Sequence, residues 1–203
     1  MTPAGACTRC PQPPLWSRDA QALRRALRTF ATGVTVVTSA GDEPPYGVTA
    51  NAFTSVSLVP PLVLVCLNAA SSTCRAIARN RIFAVNVLSA EQEWLSRRFA
   101  SPSRPRGFAA FSDVPHREGL TGAPILDGVA CWLDCRLAGM HVAGDHIVVI
   151  GEVLAADGDA GCEPLVFHAG RYRVVRDADT DADTGCGARS AASISRPTSP
   201  ERR

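Results

Sequence analysis

The strongest constraint on the fold is a series of short, β-branched runs broken by glycine and proline. The runs are VTVVT (34–38), YGVTA (46–50), FTSVSL (53–58) and LVLVCL (62–67), with breaks at residues 41–45 and at Pro60 and Pro61. Such runs between turn-forming residues are typical of short strands joined by hairpins. Four strands are therefore predicted in the first third of the chain.

Strand patterns continue towards the C-terminus. The run IFAVNVL (82–88) predicts one strand, and the runs starting at Val129 and His146 predict a long hairpin that turns at Ala143, Gly144 and Asp145. A last strand is expected from Leu165, through a turn at Gly170, to Val175. The pattern is mostly β.

Helical patterns are few. Leu23, Leu27 and Phe30 recur at spacings of four and three, which predicts a first helix that ends near Gly33. A short second helix is expected over residues 72–80.

A third helix is indicated by Ser89 and Gln92, a capping-box pair that opens a helix through about Phe99. Residues 101–124 are expected to form a loop. No helix alternates regularly with the strands, which argues against a doubly wound parallel sheet. A mainly β fold is predicted, an antiparallel barrel with Greek-key-like order and a few short helices, because closure removes exposed edges.

Charge and hydropathy exclude two classes of partner. The 21 basic residues are all arginine and face 19 acidic residues, so the formal charge of +2 provides no broad basic field for nucleic acid. No apolar run approaches the roughly 20 residues that cross a bilayer, and the first residues lack the order of a secretory signal. The expected location is the cytoplasm, with no membrane partner.

The ends differ in composition from the middle. Residues 1–16 are rich in proline and small side chains, and residues 177–203 contain one large apolar residue, Ile194. Neither end can bury enough surface to offset the entropy of ordering. Disordered tails are therefore expected there, and residues 17–176 are expected to form one domain.

The eight cysteines predict neither a disulfide framework nor a metal site. Disulfide frameworks belong to small secreted domains, so reduced thiols are expected. Cys7 and Cys10 form a C-x-x-C that lacks a second pair, and the four histidines show no H-x-x-x-H spacing. Cys131 and Cys135 are expected to pack on one face of a strand, and no redox role is expected for any cysteine.

Two segments carry candidate binding residues, whereas the common phosphate-loop and hydrolase motifs are missing. Residues 47–57 are dense in small polar side chains, which suits a flat, hydrogen-bonding ligand or simply a Thr/Ser-rich turn. Ser71, Ser72 and Thr73 open the second predicted helix and suit a phosphate group, helped by Arg75 or Arg79. N-capping explains one of the three hydroxyls.

Five segments, in order, resemble the short-chain flavin reductases, the reductase components of two-component flavin-dependent monooxygenases. They are FATGVTVVT (30–38), YGVTANAFTSVSLVPPLVLV (46–65), FAVNVLSAEQEWLSRRFA (83–100), GDHIVVIGEV (144–153) and LVFHAGRYRVV (165–175). The resemblance covers about residues 20–175. It implies an FMN-binding split β-barrel that forms a homodimer.

The resemblance also assigns site residues. Along the flavin ring, ribityl chain and phosphate it places Thr49, Ala50, Asn51, Ala52, Phe53, Ser55 and Val56. At the phosphate end it places Asn68, Ser71, Ser72 and Thr73, where the family often has a basic residue that this chain lacks. Beside the flavin it places Asn86, Arg98 and Phe99, although Asn86 could equally satisfy a strand end.

The nicotinamide-binding corner of the family is similar to Gly144, Asp145 and His146. An ordinary turn histidine is the alternative for His146. Tyr172 matches the family's aromatic residue near the cofactor end, and the alternative is a core or interface tyrosine.

The implied reaction is hydride transfer from NADH or NADPH to flavin N5 of FMN or FAD, with the two rings about 3–3.5 Å apart. His146 is the catalytic candidate, expected to orient the nicotinamide and to modulate charge. Reduced flavin would then diffuse to a partner monooxygenase. The alternatives are a non-catalytic flavin- or heme-binding split barrel, a pyridoxamine-phosphate-oxidase-like enzyme, and an interaction module that acts through the tails.

Overall fold

The computed structural model describes residues 20–41 and 44–175. The predicted tails, with Cys7 and Cys10, lie outside the described residues. The described chain forms four α-helices, which are α1 (Ala20–Leu27), α2 (Ser72–Asn80), α3 (Glu93–Ala100) and α4 (Phe108–Phe111). None of these helices is long and apolar enough to cross a membrane.

Twelve strands form the larger part of the regular secondary structure in the described residues. They are β1 (Thr32–Gly33), β2 (Thr35–Ser39), β3 (Tyr46–Ala50), β4 (Phe53–Leu58), β5 (Pro61–Asn68), β6 (Ile82–Val87), β7 (His116–Glu118), β8 (Pro124–Leu126), β9 (Cys131–Ala143), β10 (His146–Gly158), β11 (Val166–His168) and β12 (Arg171–Arg173). A turn of 3-10 helix, Ala90–Gln92, precedes α3.

One antiparallel sheet of seven strands, in the order β3-β2-β6-β9-β10-β5-β4, forms the body of the fold. Its two edge strands, β3 and β4, are consecutive in the chain and are joined only by Asn51 and Ala52. We call this junction the seam. In the described sheet, β3 pairs only with β2 and β4 only with β5, so no ladder of hydrogen bonds joins the two edges. At the seam the barrel is closed by the chain itself, which runs directly from one edge strand to the other.

Two buried clusters lie on opposite faces of the sheet. The barrel core joins Val37 on β2 to Val65 on β5, Phe83 on β6 and Ile77 on α2, which requires the sheet to curl around them. The outer core packs α3 and α4 against the other face through residues that include Val36, Leu95, Phe99 and Phe111. Successive residues of β2 therefore contribute to different cores, which explains why the whole strand is buried.

The predicted mainly β antiparallel barrel is confirmed, and β3, β4 and α2 have the expected bounds. The third helix also begins with the expected pair, since the Gln92 side chain accepts a hydrogen bond from the Ser89 amide at 3.2 Å. Two expectations were wrong. Residues 101–124 are not a plain loop, because they contain α4 and β7.

The first helix also ends earlier than expected, at Leu27 rather than near Gly33. Gly33 is extended and pairs with Val166 on β11, so pairing with the C-terminal hairpin overrides the helical pattern. The apolar side chains that define the pattern remain largely exposed, at 52% for Leu23, 63% for Leu27 and 74% for Phe30.

Candidate functional site

The seam and the first part of β4 present an accessible surface. Asn51, Ala52, Ser55 and Val56 are exposed, whereas Phe53 is half-buried and packs against the barrel core. The Ala52 carbonyl accepts a hydrogen bond from the Cys66 amide at 2.9 Å, which fixes the seam to β5. The exposed backbone and small side chains leave room for a flat ligand along this segment.

Thr49 and Ala50, just before the seam, serve the fold. The Thr49 hydroxyl donates to the Ser96 carbonyl at 2.7 Å and so attaches β3 to α3. Ala50 lies in the barrel core, and its carbonyl accepts from the Thr35 hydroxyl at 2.6 Å. The side chains of Thr49 and Ala50 therefore contact the rest of the protein, and only their backbone is left for a ligand on this strand.

The hairpin turn between β9 and β10 lies next to the segment that was predicted to bind phosphate. Gly144 has a φ of 65°, the left-handed conformation that a two-residue hairpin turn needs and that glycine adopts without strain. His146 pairs with Asn68, and the Asp145 carbonyl accepts from the Ala69 amide at 3.0 Å. Since β10, β5 and β4 are neighbours, His146 lies two strand spacings, roughly 10 Å, from the seam.

His146 is half-buried and linked to its neighbour in the turn. Its Nδ1 lies 2.7 Å from Oδ1 of Asp145. The hydrogen bond from His146 holds the pKa of the Asp145 carboxyl below its usual value, with a smaller contribution from the charge of Arg24 on α1. An ionised Asp145 accepts a hydrogen bond from Nδ1–H of His146, so Nε2 is the ring nitrogen of His146 that is left for a ligand.

The start of α2 combines a weak cap with an unpaired hydroxyl. The Ser71 side chain accepts from the Cys74 amide at a long 3.4 Å. The Thr73 hydroxyl is fully buried and has no hydrogen-bond partner among the described residues. Arg75 donates to the Ala70 carbonyl at 2.7 Å, and Arg79 lies in the last turn of the helix. Arg75 is therefore nearer than Arg79 to the end of α2 where a phosphate at Ser71 was expected.

Replacing Thr73 with valine is expected to raise the free energy of unfolding by about 1 kcal/mol, because valine has nearly the same shape without a buried, unpaired hydroxyl. Urea unfolding of both proteins measures the change. The exposed Thr54→Val variant is the control, expected to change stability by less than about 0.5 kcal/mol. A loss of stability in Thr73→Val would show that the hydroxyl has a partner in solution.

The structure gives Asn86 a role in the fold. It is fully buried, its Nδ2 donates to the Val36 carbonyl at 3.1 Å and the Thr38 hydroxyl at 3.2 Å, and its Oδ1 accepts from the Leu126 amide at 2.8 Å. No polar atom of the side chain remains for a flavin. The expectation that Asn86 flanks the flavin is therefore corrected, and the alternative, bonding at strand ends, describes its contacts.

Arg98 and Phe99 also belong to the packing of α3. Arg98 forms an ion pair with Asp113 and donates from Nε to the Ala110 carbonyl at 3.1 Å, which ties α3 to α4. Phe99 is fully buried, and a Cβ on Gly47 would lie only 2.6 Å from its ring. The expectation that Phe99 flanks the flavin is corrected as well, whereas the expectation for Arg98, whose side chain is partly exposed, stays a prediction.

Tyr172 lies on β12 and is half-buried. Its hydroxyl lies 2.9 Å from that of Ser96, whose carbonyl holds Thr49. Its ring packs against Phe167 at 5.3 Å, and the Arg97 guanidinium lies 5.0 Å from the ring centre. Tyr172 thus supports the strand that leads into the seam.

Sequence reasoning missed a cleft beside Asn51. Its walls come from α1 and the C-terminal hairpin, through Leu27, Phe30, Phe167 and Gly170, and it has a volume of about 280 Å³. The spacing of the apolar residues in and after α1 predicted the buried face of a helix. Spacing alone does not show whether another element covers that face. Arg24 of α1 lines this cleft as well.

Comparison with known proteins identifies the family. Residues 27–176 match the family model described as "Flavin reductase like domain". The NADH-dependent FAD reductase of Streptomyces globisporus is 43% identical over 169 residues, which covers 83% of this chain and 91% of that protein. The reductase subunit HsaB of a flavin-dependent monooxygenase from Rhodococcus jostii is 38% identical over 154 residues, covering 76% and 77%.

A solved structure agrees with these relatives. BorF, the flavin reductase component of a bacterial two-component tryptophan halogenase, superposes with a TM-score of 0.74 at 39% identity, covering 78% of this chain and 99% of BorF. The accessible seam, the neighbouring turn with its histidine and the match over most of the chain agree with one another. The chain therefore belongs to the flavin reductase family.

Proposed function

We propose that this protein reduces flavin, FMN or FAD, with NADH and supplies the reduced flavin to a partner monooxygenase. The observation that carries the proposal is the position of three segments at one place, the seam, the start of α2 and the turn that carries His146. The named functions of relatives, an NADH-dependent FAD reductase and a monooxygenase reductase subunit, support it.

The described residues fit a flavin nucleotide. The exposed seam offers a surface without large side chains, and the segment assigned to the phosphate includes the Thr73 hydroxyl, which is buried without a partner among the described residues. When bound, a flavin accepts hydride at N5 from a nicotinamide. The seam would orient the flavin ring. His146 would hold the nicotinamide through Nε2, while Asp145 fixes the orientation of the His146 imidazole.

A single assay tests this function. Purified protein is mixed with NADH or NADPH and with FMN, FAD or riboflavin, and the loss of reduced nicotinamide is followed by absorbance. We expect oxidation of NADH that depends on added flavin. The competing function, a non-catalytic flavin- or heme-binding split barrel, predicts flavin binding without NADH consumption, and that result from folded protein would overturn the reductase proposal.

We also propose that the protein is a homodimer. Support comes from the large apolar side chains left exposed at the β4–β5 turn, where Leu58 is 88% and Val59 is 91% exposed. Apolar groups exposed together are typical of protein interfaces. Light scattering after gel filtration gives the mass, and a monomer at working concentrations would contradict the proposal. The Leu58→Ser, Val59→Ser double variant should shift the equilibrium towards monomer.

We infer a cytoplasmic location, which the free thiols support. The described cysteines, Cys66, Cys74, Cys131, Cys135 and Cys162, form no disulfide. Burial, with a smaller effect of Asp134, raises the pKa of Cys135 to about 12, and burial also raises the pKa of Cys74 and Cys131. Buried thiols with raised pKa values suit packing rather than redox chemistry.

Native protein at neutral pH is therefore expected to leave Cys135 and Cys74 unmodified by iodoacetamide, because the reactive thiolate is scarce and covered. Mass spectrometry of peptides measures the modification at each site. The same protein in denaturant is the control and should react at every cysteine. Modification of native Cys135 at the rate of the denatured protein would contradict the packing role.

A further inference from the structure

A cleft between α4 and the β7–β8 hairpin lies at the end of the barrel away from the seam. Its volume is about 780 Å³, and its wall also includes the turn between β2 and β3 and the start of β6. β3 begins at this turn and runs for five residues, roughly 15 Å of strand, before it reaches the seam. Within the described part of the chain, no residue assigned to the flavin or the nicotinamide lines this space. We call it the β7 cleft, and it is separate from the candidate site.

Apolar side chains form much of the wall of the β7 cleft. Phe111 of α4 is almost fully buried, whereas Phe108, three residues earlier on the same helix, is 73% exposed. Ile82 at the start of β6 and Pro124 on β8 add aliphatic surface. Covering this surface removes apolar area from water, and the two phenylalanine rings offer edges and faces to another ring. The wall therefore suits a ligand with an aromatic body.

β7 places two hydrogen-bond acceptors on the same side. His116 and Glu118 are two residues apart on the strand and both line the cleft, whereas Arg117 between them lies 4.8 Å from the ring centre of Trp132. Nδ1 of His116 donates to the Val114 carbonyl at 2.7 Å, so Nε2 of the neutral ring can only accept. Among the described residues, the Glu118 carboxylate forms no hydrogen bond or ion pair.

The hydroxyl groups that line the β7 cleft donate their protons elsewhere. Thr121 donates to the Asp134 carboxylate, and Ser112 donates to the Ala109 carbonyl at 3.3 Å. Glu118 is the only charged side chain among the described residues that line the cleft. An anionic ligand would find no cation there and would be repelled by Glu118, whereas an O–H or N–H group would find free acceptors.

Contacts within the protein hold the wall of the β7 cleft in place. The fully buried Asp134 on β9 accepts from the Thr121 amide at 2.8 Å and fixes the turn of the hairpin. The Thr38 hydroxyl donates to the Pro124 carbonyl at 2.6 Å, which attaches β8 to β2. On the opposite wall, Phe111 packs in the outer core. Because the wall is formed before a ligand binds, little conformational entropy is lost on binding.

We propose that the β7 cleft binds a small aromatic molecule that carries a hydroxyl or amino group and no negative charge, the class of simple phenols and arylamines. Its ring lies against Phe108 and Phe111, and its O–H or N–H group donates to Nε2 of His116. The Glu118 carboxylate excludes anions. This site uses neither the seam nor the turn of His146, so the inference does not depend on the proposed function.

Four probes of similar shape test the chemistry of the site. Dissociation constants for p-cresol, p-toluidine, toluene and p-toluate are measured on the full chain by ligand-observed NMR. p-Cresol and p-toluidine should bind with constants below about 1 mM, and the other two at least about tenfold more weakly, because toluene has no donor and p-toluate is repelled by Glu118. Saturating FMN should leave the constants unchanged, since the flavin is assigned to the other end of β3.

Variants separate the three parts of the site. His116→Phe keeps a ring but removes the acceptor, so it should weaken p-cresol by about fivefold or more and change toluene by less than about twofold. Glu118→Gln should reduce the preference for p-cresol over p-toluate to about threefold or less. Phe108→Ala should weaken every probe, since it removes the exposed ring. The matched control is His141→Phe, an exposed histidine on β9 that does not line the cleft and should change nothing.

Four results would overturn the aromatic site. They are a p-cresol constant above about 1 mM, equal affinity for p-cresol and toluene, displacement of p-cresol by FMN, and wild-type affinity for p-cresol in folded His116→Phe. Loss of a dimer in Phe108→Ala, together with no binding of p-cresol to the wild type, would assign the exposed ring to a protein interface instead. Failure of the protein to oxidise NADH would overturn the proposed function alone and leave this site intact.

Discussion

Replacing His146 with alanine is expected to lower kcat/KM for NADH by about a hundredfold, within the range that loss of an orienting or proton-handling side chain produces. His146 lies in the turn beside Asn68, two strands from the seam, and Asp145 holds its Nδ1. Alanine removes the Nε2 group that would contact the nicotinamide. Stopped-flow reduction of bound flavin measures the hydride step separately from flavin binding.

Two companion variants sharpen this result. His116→Ala, an exposed histidine on β7, should leave both constants unchanged. Asp145→Asn keeps His146 but removes the carboxylate that fixes its ring, so a smaller loss in kcat/KM is expected. Unchanged NADH affinity and turnover in His146→Ala would show that the histidine is an ordinary turn residue.

Asn86→Ala is expected to lower the free energy of unfolding by about 3 kcal/mol, since it removes a fully bonded side chain from between β2 and β8. The Leu126 amide and the Val36 carbonyl would lose their partner in a place that water does not reach. Urea denaturation measures the change as a shift of the midpoint at constant slope.

Flavin affinity separates this role from a ligand role. Folded Asn86→Ala should bind FMN like the wild type, because every polar atom of Asn86 faces the protein. Asn80→Ala is the matched control, since its long 3.5 Å contact with Ser39 predicts a loss below about 1 kcal/mol. If the Ala variant does not fold, Asn86→Ser provides the same comparison. A specific loss of FMN binding without loss of stability would restore Asn86 to the site.

The sequence predicted correctly those elements that are determined by residues close to them in the chain. The β-branched runs between glycine and proline marked β3 and β4, and Ser71 marked the start of α2, because turn formers and caps act within a few residues. The helix ending near Gly33 was wrong because the partner that captures Thr32 and Gly33 is β11, more than a hundred residues away in sequence.

The candidate site divides in the same way. Ser55 and Val56 are accessible, as expected for a binding strand, and Asn68 lies beside His146. Asn86 and Phe99 were misassigned because a polar residue in a strand, or an aromatic residue on a helix, suits a ligand and a core equally well.

Residues 51–56, the seam with the first part of β4, take part in closing the barrel and are also the segment that we propose presents the surface for the flavin. Selection that changes residues 51–56 to alter affinity therefore acts on stability at the same time, because Phe53 also packs in the barrel core.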